Sequence, residues 1–299
     1  MKTTRIADRL GWPEGPALLP DGRVIFVETY RSQVSVWAPG RAVEAYAVVG
    51  GGPNAVIPGG DGALYVTQNG GVVGPWRAAD QRPPSIQRVS PAGKVEILAT
   101  SIDGRTLRAP NDLAFGPDGS LYFTDPGGPY DPVNRPDGGF IYRLRPDGSG
   151  ELLVELPPVF PNGIAVEADG SVVWVESYTR AVKRRTADGK VTLICTLPEK
   201  SVPDGFKIAA NGDLYIAGVT AAGLDIIRRD GSYAGLLPVG VIPTNCAFAG
   251  RSLYVTDGGH QGLSTGADLA GHLWLVELTE AEGAPLFAGR IAASAQGAR

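Results

Sequence analysis

Six polar residues, Glu14, Asn54, Asn111, Asn162, Asp204 and Thr244, each stand at the head of a near-copy of one short segment. The copies read EGPALLPDGRVIFVET, NAVIPGGDGALYVTQN, NDLAFGPDGSLYFTDP, NGIAVEADGSVVWVES, DGFKIAANGDLYIAGV and TNCAFAGRSLYVTDG. One Glu, one Asp and up to three Asn make an oxygen-only donor set. Such a set suits a hard cation, Ca²⁺, Mg²⁺ or Mn²⁺, and two carboxylates would balance a divalent charge. The thiolates and imidazoles of a structural zinc site are missing from the column. A lone Asn ahead of a strand more often closes an Asx-turn on its own backbone. Here, however, the chain has only seven Asn, and three of them fall in this one column, which favours a shared role over coincidence.

The elements that must position the column follow from the repeat. Each copy holds two short apolar runs joined by a turn with Asp-Gly or Asn-Gly (Asp21-Gly22, Asp61-Gly62, Asp118-Gly119, Asp169-Gly170, Asn211-Gly212), or by Gly250-Arg251 in the sixth. These dipeptides supply the positive φ of a compact hairpin. The heads lie 40, 57, 51, 42 and 40 residues apart, and about 40 residues suffice for a blade of four antiparallel strands. The expectation is therefore an all-β, six-bladed β-propeller with four-stranded antiparallel blades around a central metal site. It forms a single domain over 1–299, with inner hairpins near 14–29, 54–69, 111–126, 162–177, 204–219 and 244–258. The N-terminal TTRIADRL and the C-terminal HLWLVEL and APLFAGR are expected to share the closing of the sixth blade.

If the repeated hairpin is the inner pair of each blade, the six heads converge at one end of the channel and the Gly turns face the other. Two spacings exceed a blade, and the surplus falls in irregular stretches after return strands, residues 69–85 and 125–139. Loops of that length in a compact domain are usually functional.

Composition narrows the class. Gly (42) and Pro (25) are frequent but punctuate apolar runs, which is turn chemistry and not disorder. The net charge of −4 comes with no run of Lys or Arg, so neither nucleic acid nor an anionic membrane is an expected partner. No apolar stretch approaches a spanning helix and the N-terminus lacks the apolar core of a signal peptide, so the expected location is cytoplasmic. Cys195 and Cys246 lie in apolar runs without a neighbouring His and read as small buried hydrophobes.

The strings WPEGP around Glu14, RAPNDLAFGPDGSLYFTDP around Asn111, FPNGIAVEADG around Asn162 and VPDGFKIAANGDLYIA around Asp204 resemble the SMP-30/gluconolactonase/regucalcin family, over essentially the whole chain. Even GAPLFAG is similar to that family's closing strand. The resemblance implies a metal-dependent lactonase opening a small lactone, a sugar (aldono) lactone foremost. It implies one divalent cation, Ca²⁺ foremost with Zn²⁺, Mn²⁺, Mg²⁺ or Fe²⁺ as alternatives, held by Glu14, Asn162 and Asp204. It further implies Asp204 as general base and Asn111 beside the metal or on the substrate. Arg108, three residues before Asn111, resembles the family's basic residue there and is assigned to substrate hydroxyls, with a partnerless surface Arg as the alternative. Trp76 and Tyr130, in the long loops, are assigned to the substrate. Trp12, Phe160 and Phe206 are assigned to packing.

Other readings stay open. Some related propellers act on phosphotriesters or aryl esters with a His near the metal, and His260, after the sixth return strand, could reach the mouth, whereas His272 reads as structural. A non-catalytic calcium-binding propeller is the remaining alternative, because the fold hosts unrelated functions. The expected assembly is a monomer or small homo-oligomer.

Overall fold

Every copy of the repeat becomes an antiparallel hairpin, the first five closed by the same turn and the sixth by Gly250-Arg251 between Ala249 and Ser252. In the first, Gly22 N–H donates to Leu19 O at 2.9 Å and Leu19 N–H to Arg23 O at 2.9 Å. This is a type I turn followed by a left-handed residue, the three-residue hairpin loop that matches strand twist. The positive φ falls on glycine alone, 85° at Gly22 and 73–87° at Gly62, Gly119, Gly170 and Gly212. The preceding Asp acts differently, its Asp21 carboxylate accepting from Arg23 N–H at 3.1 Å.

The computed structural model describes residues 2–260 and 264–292. Six four-stranded antiparallel sheets follow one another along the chain. From the inner strand outward they are blade 1, Pro13–Leu18, Val24–Glu28, Gln33–Trp37 and Glu44–Val48, and blade 2, Pro53–Pro58, Leu64–Gln68, Ser85–Val89 and Val95–Ala99. Blade 3 is Leu113–Phe115, Leu121–Asp125, Gly139–Leu144 and Gly150–Leu156, and blade 4 is Pro161–Val166, Val172–Glu176, Ala181–Arg185 and Val191–Thr196. Blade 5 is Pro203–Ile208, Leu214–Gly218, Gly223–Ile227 and Tyr233–Pro238, and blade 6 is Pro243–Ala249, Ser252–Asp257, Gly271–Glu277 and the N-terminal Lys2–Leu10. Each inner strand touches the inner strands of both neighbours, so the ring closes. Radial repetition leaves no long exposed sheet edge.

The apolar residues of each inner hairpin pack against the adjacent blade. Between blades 1 and 2, for example, Ile25 and Val27 are buried against Val56, Leu64 and Val66. Among the described residues no helix is long and apolar enough to cross a membrane.

Only part of the expected closure forms. Lys2–Leu10 pairs with Gly271–Glu277, but APLFAGR adds no strand to blade 6. It runs instead across the turn face of the propeller, where Gly283 bridges Ala209 of blade 5. Gly289 O then accepts from Gly60 N–H at 2.8 Å, and Ile291 N–H donates to the Tyr65 hydroxyl of blade 2 at 2.9 Å. Blade 6 already has four strands once the N-terminal segment is paired, so the tail is left to cross the face opposite the heads.

Candidate functional site

The head of each inner strand is aimed by two devices that the repeat carries. A proline precedes every head residue, Pro13, Pro53, Pro110, Pro161, Pro203 and Pro243, fixing φ where no ladder donor is needed. Immediately after it the register slips in blades 1, 2, 4, 5 and 6, and such bulges re-aim side chains. Trp12 and Phe160, which precede two of these prolines, both take φ near 54°. That is an uncommon conformation for an aromatic residue, and it turns both rings into the mouth.

At the same level a ring of hydroxyls ties blade to blade. Thr29 donates to Pro53 O at 2.8 Å, Thr67 to Asn111 O, Thr124 to Asn162 O at 2.7 Å, Ser177 to Pro203 O at 2.7 Å and Thr244 to Pro13 O at 2.8 Å. Blade 5 ends its return strand in Ala217-Gly218 and has no hydroxyl there. Thr124→Val is expected to cost about 1–3 kcal/mol, because it leaves a buried carbonyl unpaired. Urea unfolding would measure it, with Thr124→Ser retaining most of the stability.

The heads floor a cavity of about 550 Å³ at the channel mouth. Glu14, Asn54, Asn111, Asn162 and Asp204 all line it. Thr244, fully buried, is spent on the hydroxyl ring, where it also meets Thr256 at 2.9 Å. Asn162 is the most informative member. Its Nδ2 donates to Ser177 Oγ at 3.2 Å, and Ser177 has already committed its own proton to Pro203 O. Ser177 can therefore only accept from the amide, which fixes the orientation of Asn162 and leaves Oδ1 without a partner. A buried polar atom in that state calls for an explanation, and a bound ion is one of the few available.

The carboxylates point the same way. Burial pushes Asp204 up to about 8, the Asp112 charge adds to this, and hydrogen bonds from Asn162, Glu14 and Gly205 oppose it. Glu14 is raised well above the usual carboxylate range, by burial first and by Asp204 next. The Asp204 charge thus disfavours ionisation of Glu14, and Lys207 offsets only part of this. Among the described residues no cluster of three or more His, Cys, Asp or Glu is placed to hold a metal. The donor set is instead two carboxylates and the amide oxygen of Asn162, all hard oxygen ligands, and it fits a divalent cation of that preference.

One layer deeper lies a group that the motifs do not single out. Asp112 is buried and its carboxyl raised by that burial, against the opposing effects of Lys207, Leu113 N–H and Asn245. Asn245 Nδ2 reaches Asp112 across the channel at 3.3 Å, and Lys207 Nζ reaches Asn245 Oδ1 at 3.3 Å. The equivalent positions in blades 1, 4 and 5 are Gly15, Gly163 and Gly205, and the last leaves room for Asn245. A Cβ at Gly205 would lie 1.9 Å from Asn245 Cγ. Asp112 directly follows a head residue, so two adjacent polar residues at a strand head were the signal.

Of the loop residues, Tyr130 lines the cavity and packs edge-on to Phe160 at 5.1 Å. Phe160 and Trp12 line it as well, whereas Phe206 is in the core. Trp76 does not line it: the indole is buried against Tyr30 at 5.3 Å, and Val72, Val73 and Gly74 of the same loop present themselves instead. Arg108 is also turned away, its guanidinium paired with Asp137 at 2.7 Å, and Ala109 takes the wall position. His272 sits on the third strand of blade 6 against Asp257 at 3.2 Å, and His260 lies 3.4 Å from Asp268. Cys246 is buried and its thiol pushed up to about 12 by that burial. Cys195, half-buried, rises to about 11 for the same reason. Neither offers a thiolate.

Fold and floor together define a six-bladed propeller with oxygen donors converging at one end of its axis. The family model of the SMP-30/Gluconolactonase/LRE-like region matches residues 12–258, and the chain belongs to that family. It is 28% identical to a gluconolactonase of Zymomonas mobilis over 84% of this chain and 77% of the relative. It is likewise 28% identical to a virginiamycin B lyase of Nocardia farcinica, over 76% and 70%. Among solved structures, a gluconolactonase of Xanthomonas campestris aligns with a TM-score of 0.74 at 21% identity, over 93% of this chain and 89% of that one. A calcium-binding regucalcin of Agrobacterium tumefaciens aligns with a TM-score of 0.76 at 20% identity, over 96% and 97%. At such identities the solved structures speak to the fold.

Proposed function

We propose that the chain is a divalent-cation-dependent hydrolase that opens a small lactone. The observation that carries this reading is the unpartnered Asn162 Oδ1 on the same cavity floor as the Glu14 and Asp204 carboxyl groups, both raised above the usual carboxylate range. These three residues would hold the cation, with Ca²⁺ the first expectation, and the gluconolactonase relative supports a lactone as substrate. When bound, a divalent cation supplies positive charge that polarises an ester carbonyl and lowers the pKa of water.

The chain's own residues do the rest. Asn111, on the cavity floor, orients the lactone, and Tyr130 covers it from the loop between the second and third strands of blade 3. Asp204 takes a proton from the attacking water, whose oxygen bonds to the acyl carbon. The bond between the acyl carbon and the ring oxygen then breaks, and the proton returns from Asp204 to that oxygen, giving a hydroxy acid. Asp112, beneath the floor, would help to keep Asp204 basic, because its charge disfavours a second negative group nearby.

The test is a hydrolysis screen of aldono-1,4- and 1,5-lactones, aliphatic lactones and paraoxon on EDTA-treated protein, with each cation returned separately. Lactone turnover that appears only with a cation is the expected result. Paraoxon turned over in preference to every lactone would replace this reading with a phosphotriesterase, and no turnover of any compound would leave a binding protein.

A further inference from the structure

The carboxyl groups and most of the amides of the cavity lie at its base, and the mouth loops add Asn69, Thr220 and Tyr130. Above the heads its wall is built by Val202, Val219 and Ile242 from the loops around blades 5 and 6, by Val72 and Val73 from the loop of blade 2, and by Phe160. Several of the polar groups near this height are already committed. The Thr220 hydroxyl donates to Lys200 O at 2.6 Å and accepts from Val202 N–H at 3.1 Å, Asn69 Oδ1 accepts from Gly71 N–H at 2.9 Å, and Arg108 is held by Asp137. A polyhydroxylated ring raised against such a wall would lose water from its hydroxyls and gain few partners. An aliphatic or aryl group would be buried there at no such loss. At about 550 Å³ the space is also in the range that encloses ligands larger than a bare lactone ring.

We infer that the substrate is a lactone carrying an aliphatic or aryl substituent, its ring carbonyl on the floor of Glu14, Asn111, Asn162 and Asp204 and its substituent against the wall of Val72, Val73, Val202, Val219 and Ile242. The inference rests on the hydrolase reading and narrows its substrate class away from sugar lactones. Water adds its oxygen to the acyl carbon, the acyl carbon–ring oxygen bond breaks, and the released hydroxyl stays on the carbon that bears the substituent. The product is a hydroxy fatty acid or its aryl counterpart, and no further reactant is needed.

The experiment uses cation-loaded protein and a series of δ-lactones from δ-valerolactone to δ-undecalactone beside glucono-1,5-lactone. Burial of each added methylene is expected to raise kcat/KM roughly fourfold until the wall is covered, with δ-nonalactone well above the sugar lactone. Ile242→Asn is expected to flatten that dependence. Because Ile242 is buried and the variant's folding is less secure, Val73→Asn, in a half-exposed loop position, is run with it. A kcat/KM that is flat or falling with chain length, with glucono-1,5-lactone the better substrate, overturns the inference and leaves the hydrolase reading standing. No hydrolysis of any lactone with any divalent cation overturns both.

Discussion

Replacing Asp204 by Asn is expected to lower lactone turnover roughly 10²–10⁴-fold through loss of the general base alone, and at the same time to stabilise the cation-free protein at alkaline pH. The second half follows from the environment of the carboxyl group. Its ordinary value is 3.8, and burial, with the Asp112 charge behind it, pushes it up to about 8. A group raised in this way contributes stability that is fully present below about pH 4 and is lost as pH rises toward about 8. Cation-free wild type should therefore melt at progressively lower temperature across that window. Asn keeps the size and the hydrogen-bonding capacity but carries no charge, so the variant should show a flatter profile and the higher melting temperature at pH 8. Calorimetry on EDTA-treated samples at several pH values, with turnover measured on the same preparations, checks both halves. Wild-type activity in Asp204→Asn would sink the assignment of the base. A pH profile as steep as that of the wild type would mean that Asp204 is not the group that titrates.

Cation binding carries the other large effect. Without a cation both the Glu14 and the Asp204 carboxyl groups are raised above their ordinary range, and a cation that took both as ligands would require their ionised forms. Binding is therefore expected to release about one proton per cation and to weaken as pH falls. A cation present at a hundred times its dissociation constant adds about 2.7 kcal/mol to the folded state, worth several degrees in melting temperature for a chain of this size. Glu14→Gln should remove most of the upward shift and most of the proton release. Titration in two buffers of different ionisation enthalpy measures the protons directly.

The blade count was legible because turn glycines and head residues recur at blade-length intervals, and a period survives every local substitution. The head column was legible for a related reason: Glu14, Asn162 and Asp204 are polar where a buried strand begins, and few residues occupy such places without a partner. The hydroxyl ring was not legible. Thr29, Thr67 and Thr124 are β-branched residues in or beside strands, where β-propensity already accounts for them, and only their distance to a carbonyl of the next blade reveals that they tie the blades together. Asp112 was hidden by its neighbour Asn111, although the glycines at the same position in three other blades, Gly15, Gly163 and Gly205, made a charged residue there unusual.

Trp76 and Arg108 illustrate a different limit. Position in a loop that rims the mouth says nothing about which way a side chain turns, and both found better partners, Tyr30 and Asp137, away from the cavity. The tail APLFAGR shows a third. An apolar run of that length pairs as a strand or packs across the end of a barrel of strands equally well, and the pairing of Lys2–Leu10 with Gly271–Glu277 decided the matter.

The central claim is that Glu14, Asn162 and Asp204 form a divalent-cation site on which lactone hydrolysis depends. Its most direct test is a titration of cation into EDTA-treated protein in which occupancy, by calorimetry, and turnover of δ-nonalactone and glucono-1,5-lactone are followed on the same sample, for wild type and Glu14→Gln. The expected result is one cation per chain, turnover rising in proportion to occupancy, and the loss of both in the variant. Full turnover in the cation-free protein, or cation binding that Glu14→Gln leaves unchanged, would contradict it.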